Sequence, residues 1–136
     1  PRGGYVLYDS AGGPPELLLI ATGSEVELAL AGLKLLEKEG RRGRLVSMPS
    51  WELFAEQPES YRAAVLPPGI AARLAVEAAS PLGWERFVGL EGAVLGMDAF
   101  GASAPAEELA RHFGFTPERV ASRAREIWAR SAAREA

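Results

Sequence analysis

Five consecutive apolar residues, Leu17-Leu18-Leu19-Ile20-Ala21, constrain the fold of this chain more than any other feature. A strand of that composition has no polar side to turn toward water, so it belongs inside a sheet covered on both faces. The rest of the chain supplies the pieces such a sheet needs. Short β-prone runs at Tyr5–Tyr8, Arg44–Ser47, Arg73–Ala78 and Ala93–Met97 alternate with helical segments. That alternation predicts a mostly parallel sheet with helices on both sides. Only about ten residues separate the first two strands, and Asp9-Ser10-Ala11-Gly12-Gly13-Pro14-Pro15 reads as turn. A parallel crossover needs a dozen or more residues, so the first strand is expected to be antiparallel to the second or at the sheet edge.

The helices carry their own start and stop signals. Ser24 and Glu27 form a capping box, and Val26, Ala29, Leu30, Leu33 and Leu36 follow helical spacing up to Gly40, a left-handed C-cap. Ser50 is placed to cap a short helix over Trp51–Gln57, and Pro58 suits the first turn of another reaching Val65. A short amphipathic piece covers Trp84–Val88. Helices are predicted over Ala106–Phe113 and from Thr116-Pro117-Glu118 onward, the last with Val120, Ala124, Ile127 and Trp128 on one face. The 136 residues read as a single domain, 1–136, and Arg2-Gly3-Gly4 reads as the end of a linker, so a fragment of a longer protein is expected.

Composition removes several function classes. A net charge of −3 gives no electrostatic case for nucleic acid or an anionic membrane. With no cysteine there is no disulfide framework, thiolate nucleophile or Cys-based zinc site, and the single histidine, His112, excludes a site needing two imidazoles. No apolar run approaches the ~18 residues of a membrane span and no secretory signal is recognisable, so a cytoplasmic location is expected. Asparagine is absent, Gln57 is the only glutamine and there are ten prolines, a pattern that fits a thermophile's avoidance of thermolabile residues.

Sites in open parallel sheets form beyond the carboxyl ends of the strands. Here those ends place Thr22, Ser24, Ser47, Asp98 and Ser103 on one rim, with Glu77 just inside it. The Thr22-Gly23-Ser24 turn has free amides, but Glu25 and Glu27 occupy the first helical turn and repel an anion, so the turn reads as capping. Gly101-Ala102-Ser103-Ala104-Pro105 resembles a nucleophile elbow only superficially. Proline replaces the second glycine, no Asp follows Ser103, and His112 is nine residues on in the same predicted helix. No catalytic triad can be built from these parts. Glu77, in an apolar strand, is either a general acid or base or a structural group that pairs with Arg73 or accepts backbone amides from the turn at Ser80, and the structural reading is preferred. The aromatics Trp51, Phe54, Tyr61, Trp84, Phe87 and Phe100 are read as local core, with a docking surface as the alternative.

Several blocks together carry a family resemblance: Ala21-Thr22-Gly23-Ser24-Glu25-Val26, Val46-Ser47-Met48-Pro49-Ser50-Trp51-Glu52-Leu53-Phe54, Tyr61-Arg62, and Val65-Leu66-Pro67. Gly83-Trp84, Phe100-Gly101-Ala102-Ser103-Ala104-Pro105 and Phe113-Gly114-Phe115-Thr116 complete the set. In this order, from about Tyr5 to Trp128, the chain resembles the C-terminal domain of transketolase. The resemblance implies a three-layer α/β/α domain with a five-stranded mixed sheet, mostly parallel, and one antiparallel edge strand. It implies a homodimeric parent enzyme of the pentose phosphate pathway. That enzyme uses thiamine diphosphate and Mg²⁺ to move a two-carbon ketol unit from ketose to aldose phosphates.

By the same resemblance, the cofactor, metal and sugar-phosphate residues lie in preceding domains. No catalytic, cofactor-binding or metal residue is therefore assigned here. The implied partners are the preceding transketolase domains and the dimer-related subunit. Dihydroxyacetone synthase is a sister family that this region alone does not separate. A second expectation, of a different class, is an autonomous small-ligand or regulatory module using the strand-end rim.

Overall fold

The computed structural model describes residues 2–23, 25–77, 85–89, 92–96 and 116–135. Five strands, β1 (Tyr5–Asp9), β2 (Leu17–Ala21), β3 (Gly43–Ser47), β4 (Arg73–Glu77) and β5 (Ala93–Gly96), form one sheet in the order β1-β3-β2-β4-β5. The helices are α1 (Glu25–Glu37), α2 (Trp51–Ala55), α3 (Glu59–Val65), α4 (Glu85–Val88) and α5 (Pro117–Glu135). Strands β3, β2, β4 and β5 are parallel, and β1 is antiparallel to β3. The expected mixed sheet with one antiparallel edge strand is therefore what the chain forms.

Strand β2 sits at the centre, and every one of its residues is fully buried. Because successive side chains of a strand point to opposite faces, this one run feeds two cores. Leu17, Leu19 and Ala21 pack with Ala29, Leu33 and Leu36 of α1 and Val120, Ala121, Ala124 and Ile127 of α5. Leu18 and Ile20 pack on the other side with Met48, Phe54, Val65, Phe87 and Val88. Strand β4 divides in the same way, Leu74 and Val76 to the first core and Ala75 to the second. The period of two in a wholly apolar strand thus builds the three layers.

The first strand takes the edge, and its partner is β3 rather than β2. The turn after it wraps the start of β3: Ser10 N–H donates to the Gly43 carbonyl at 2.9 Å, and Gly43 N–H to Ser10 Oγ at 3.1 Å. Arg44 fastens the same corner, donating to both carboxylate oxygens of Asp9 and to the carbonyls of Ala64 and Val65. Arg2-Gly3-Gly4 is not a free linker end. Gly3 and Gly4 are buried, Ser50 N–H donates to the Gly3 carbonyl at 2.9 Å, and the Tyr61 hydroxyl donates to the Gly4 carbonyl at 2.7 Å. The Arg2 guanidinium lies 4.5 Å from the centre of the Tyr61 ring. Gly3 has φ +82°, which a side chain tolerates poorly, and any Cβ there runs into the backbone of Ser50 and Phe54.

The helix signals act as their residues suggest. Gly40 has φ +81°, and Arg41 N–H donates to the Leu36 carbonyl at 3.2 Å, a Schellman closure of α1. Ser50 caps α2, its Oγ accepting from Leu53 N–H at 3.2 Å. Pro58 stands one place earlier than expected, at the N-cap of α3. Thr116 Oγ1 accepts from Arg119 N–H at 3.1 Å and opens α5. The calls on Ser24, the 80–84 turn, Asp98, the 100–105 block with Ser103, and the 106–113 helix with His112 lie outside the described residues.

Candidate functional site

The strand-end rim takes its shape from the parallel register. Ala21 aligns with Ser47 on one side and Val76 on the other, and Glu77 aligns with Gly96. Thr22, Ser47 and Glu77 are thereby brought to the same end of three adjacent strands. Their surroundings differ. Ser47 is 7% exposed. Thr22 and Glu77 are half-buried. The backbone of the Thr22-Gly23 turn is already engaged: the Thr22 carbonyl accepts from Glu25 N–H at 3.2 Å, and the Gly23 carbonyl from Val26 N–H at 3.3 Å. Gly23 has φ +60°, the conformation that lets β2 turn directly into α1.

Arg73 is held by backbone carbonyls. Its Nε donates to the Ile70 carbonyl at 2.8 Å, one terminal nitrogen to Phe87 at 2.6 Å, and the other to Pro67 at 2.8 Å and Leu66 at 3.5 Å. One half-buried guanidinium thus gathers carbonyls from the loop before β4 and the end of α4. Burial pulls its pKa below the ordinary arginine value, and the carbonyl dipoles hold the cation in place.

Two cavities among the described residues lie away from the rim. One of about 490 Å³ is lined by Phe54, Glu59, Arg62, Leu66, Arg73 and Phe87. Of its basic groups, Arg73 is committed to the carbonyls above, and the exposed Arg62 has its Nε on the Gln57 carbonyl at 2.9 Å. The other, about 220 Å³, lies at the starts of β2 and β4 between Glu16, Ile70, Trp128 and Ser131. Neither offers converging unpaired polar groups of the kind that orient a small ligand.

The cofactor implied by the sequence can be tested against these donors. A diphosphate with a divalent cation needs oxygen ligands for the metal and cations or free amides for the phosphates. Among the described residues no three His, Cys, Asp or Glu side chains gather to hold a metal. The rim carries Glu77, and Glu25 and Glu27 stand in the first turn of α1, where a phosphate needs positive charge. The described residues do not fit the group.

The aromatics are core rather than surface. Phe54 and Phe87 are buried, their ring centres 6.1 Å apart, and Trp51 and Tyr61 each pack at 6.1 Å against one of them. Trp84 and Phe100 lie outside the described residues. Among the described residues, the large exposed apolar side chains are instead Tyr5, Val6 and Leu7, at 47%, 36% and 44%. A run with no polar residue in a strand whose place is at the edge was the signal available.

Helix α5 is locked onto α1 by charge as well as by its apolar face. Arg125 donates to Glu39, which holds that carboxyl below its usual range, and the Arg41 guanidinium lies 4.4 Å from the centre of the Trp128 ring. Arg123 and Arg119 pair with Glu126 on the exposed side. That face is one of interleaved, solvated ion pairs.

The family model of the transketolase-like TK C-terminal domain matches residues 3–116. Transketolase 7 of Craterostigma plantagineum is 53% identical over 129 residues, and transketolase 1 of Escherichia coli K12 is 54% identical over 126. Each match takes in 93% of this chain and 19% of the relative, so the chain spans about one-fifth of the length of the curated proteins it matches. Among solved structures, a transketolase mutant from Pichia stipitis superposes with a TM-score of 0.87 at 39% identity, over 97% of this chain and 19% of that one. Transketolase from Leishmania mexicana gives 0.85 at 44% identity, over 95% and 18%. With the sheet order, the two cores and the matched residues in agreement, the chain belongs to the transketolase-like C-terminal domain family.

Proposed function

We propose that residues 1–136 act as one non-catalytic structural domain at the C-terminal end of a thiamine diphosphate-dependent transketolase. The whole enzyme transfers a two-carbon ketol unit from a ketose to an aldose phosphate in the pentose phosphate pathway. Thiamine diphosphate, Mg²⁺ and the sugar phosphates are bound by the rest of the polypeptide, and none of the catalytic groups comes from this chain. The domain packs on the preceding domains and supports a homodimer in the cytoplasm, and the residue composition points to a thermophilic source. The observation that carries this reading is the coverage: a match across 93% of this chain takes in only 19% of each relative. The donor set supports it, because the described rim lacks the cations a diphosphate requires.

The test is direct. With saturating thiamine diphosphate and Mg²⁺, the 136-residue chain is expected to show ketol transfer at background in a coupled assay, while the full-length polypeptide turns over. Turnover by the short chain above background refutes the assignment of catalysis to the rest of the enzyme.

A further inference from the structure

We infer that β1 is the face by which this domain docks onto the preceding part of the same polypeptide. Tyr5, Val6 and Leu7 are the large hydrophobic side chains left exposed among the described residues, and they are consecutive. They stand on a strand at the end of the sheet order, hydrogen-bonded on one side to β3. The register slips between Val6 and Tyr8, leaving Leu7 without a partner residue on β3. Edge strands that face water are blunted by charge, proline or covering structure, because an open apolar edge pairs with whatever it meets. The bulge weakens this edge as a template for pairing, but the triplet carries neither charge nor proline.

Among the described residues, charge flanks the patch, including Lys34, whose Nζ lies 5.6 Å from the centre of the Tyr8 ring. Arg2 is held over Tyr61 at one end, and at the other Asp9 is held by Arg44, Oδ1 lying 2.8 Å from its Nε. An apolar centre with a polar rim is the anatomy of a protein interface.

The occupant follows from the chain outside the structure. The relatives carry this domain as 19% of their length, and the matching family is a C-terminal domain, so most of such a polypeptide precedes β1. The entry of that chain is fixed. Gly3 and Gly4 are strapped onto Ser50 and Tyr61 immediately before the exposed triplet, so the incoming segment is delivered beside β1 in a set direction. A tethered partner also meets the patch at high effective concentration, which favours it over a second copy arriving from solution.

This surface rests on the reading of the chain as one domain of a longer enzyme. Oxidative side-chain labelling of Tyr5 and Leu7 tests it, comparing the full-length polypeptide with the 136-residue chain at two concentrations. The expected result is labelling several-fold weaker in the full-length protein and strong in the short chain at both concentrations. Leu7→Lys, at an exposed site, is expected to lower the melting midpoint of the full-length protein and leave that of the short chain unchanged.

Equal labelling in the two proteins overturns the docking surface. If that full-length protein still transfers ketol units, the domain assignment stands without it. Protection that appears in the short chain as its concentration rises overturns the proposal in favour of a second copy. A native polypeptide no longer than the short chain overturns the surface and the domain assignment together.

Discussion

Leu74→Ala is expected to lower the free energy of unfolding by about 2–5 kcal/mol, the range for truncating a fully buried leucine. Leu74 is 0% exposed near the start of β4, aligned with Leu19 on one side and Ala93 on the other. It belongs to the core between the sheet and α1 and α5, where Leu17, Leu33, Leu36 and Ile127 are equally buried. A strand paired on both sides cannot shift to fill a cavity, because shifting breaks two ladders at once. The cost therefore belongs at the upper part of that range. Domains of this size are stable by only about 5–15 kcal/mol, so one truncation removes a large share. Urea unfolding followed by far-ultraviolet circular dichroism measures the change. A loss below about 1 kcal/mol, the usual ceiling for surface changes, contradicts the buried placement.

Gly32→Ala is expected to reverse the ordinary sign of a glycine-to-alanine change in a helix. In an exposed helix interior the alanine gains about 1 kcal/mol. Gly32 is buried in α1 where α5 crosses it, and a Cβ there meets Val120 Cγ1 at 2.5 Å and Val120 Cβ at 2.8 Å. Val120 is itself fully buried and β-branched, so it has little freedom to move aside. Overpacking of this kind costs about 1–3 kcal/mol, which outweighs the propensity gain. The variant should melt lower, and adding Val120→Ala should recover part of the loss. That recovery is a coupling of about 0.5–3 kcal/mol between touching residues. A stabilised Gly32→Ala, or a Val120→Ala change that merely adds to the loss, contradicts the close helix crossing.

The sequence was readable where one local rule decided the outcome. Strand β2 announced a doubly covered position because it has no polar residue, and Gly40 and Ser50 announced a helix stop and start through their own backbone and side-chain chemistry. It was less readable where long-range geometry decides. The short Asp9–Pro15 connection implied an antiparallel or edge strand, but nothing local says that β1 pairs with β3 while the chain passes on to β2. Arg2-Gly3-Gly4 has the composition of a linker, and only the tertiary contact with Ser50 and Tyr61 turns it into a strap.

Arg73 and Glu77 share a strand face four residues apart, so pairing between them is one structural reading and backbone amides for Glu77 the other. The guanidinium donates to carbonyls of the loop before β4 and of α4, a demand invisible before the loops are in place. The rim was legible as a position and not as a chemistry. Parallel register brings Thr22, Ser47 and Glu77 to one end, but among the described residues no cluster of metal-ligating side chains gathers there. The exposure of Tyr5, Val6 and Leu7 is likewise set at long range. A strand's composition shows that it wants cover, and only the sheet order shows that this domain does not provide it.

The most direct test of the central claim is the intact mass of the native polypeptide carrying this sequence, measured by mass spectrometry of an extract of the source cells. A C-terminal domain of a transketolase predicts a chain about five times as long as this one, as the 19% coverage of the relatives requires. Its activity would then belong to the assembled enzyme. A native product beginning at Pro1 and ending at Ala136 would contradict the account and leave a free-standing domain whose function must come from its own surface.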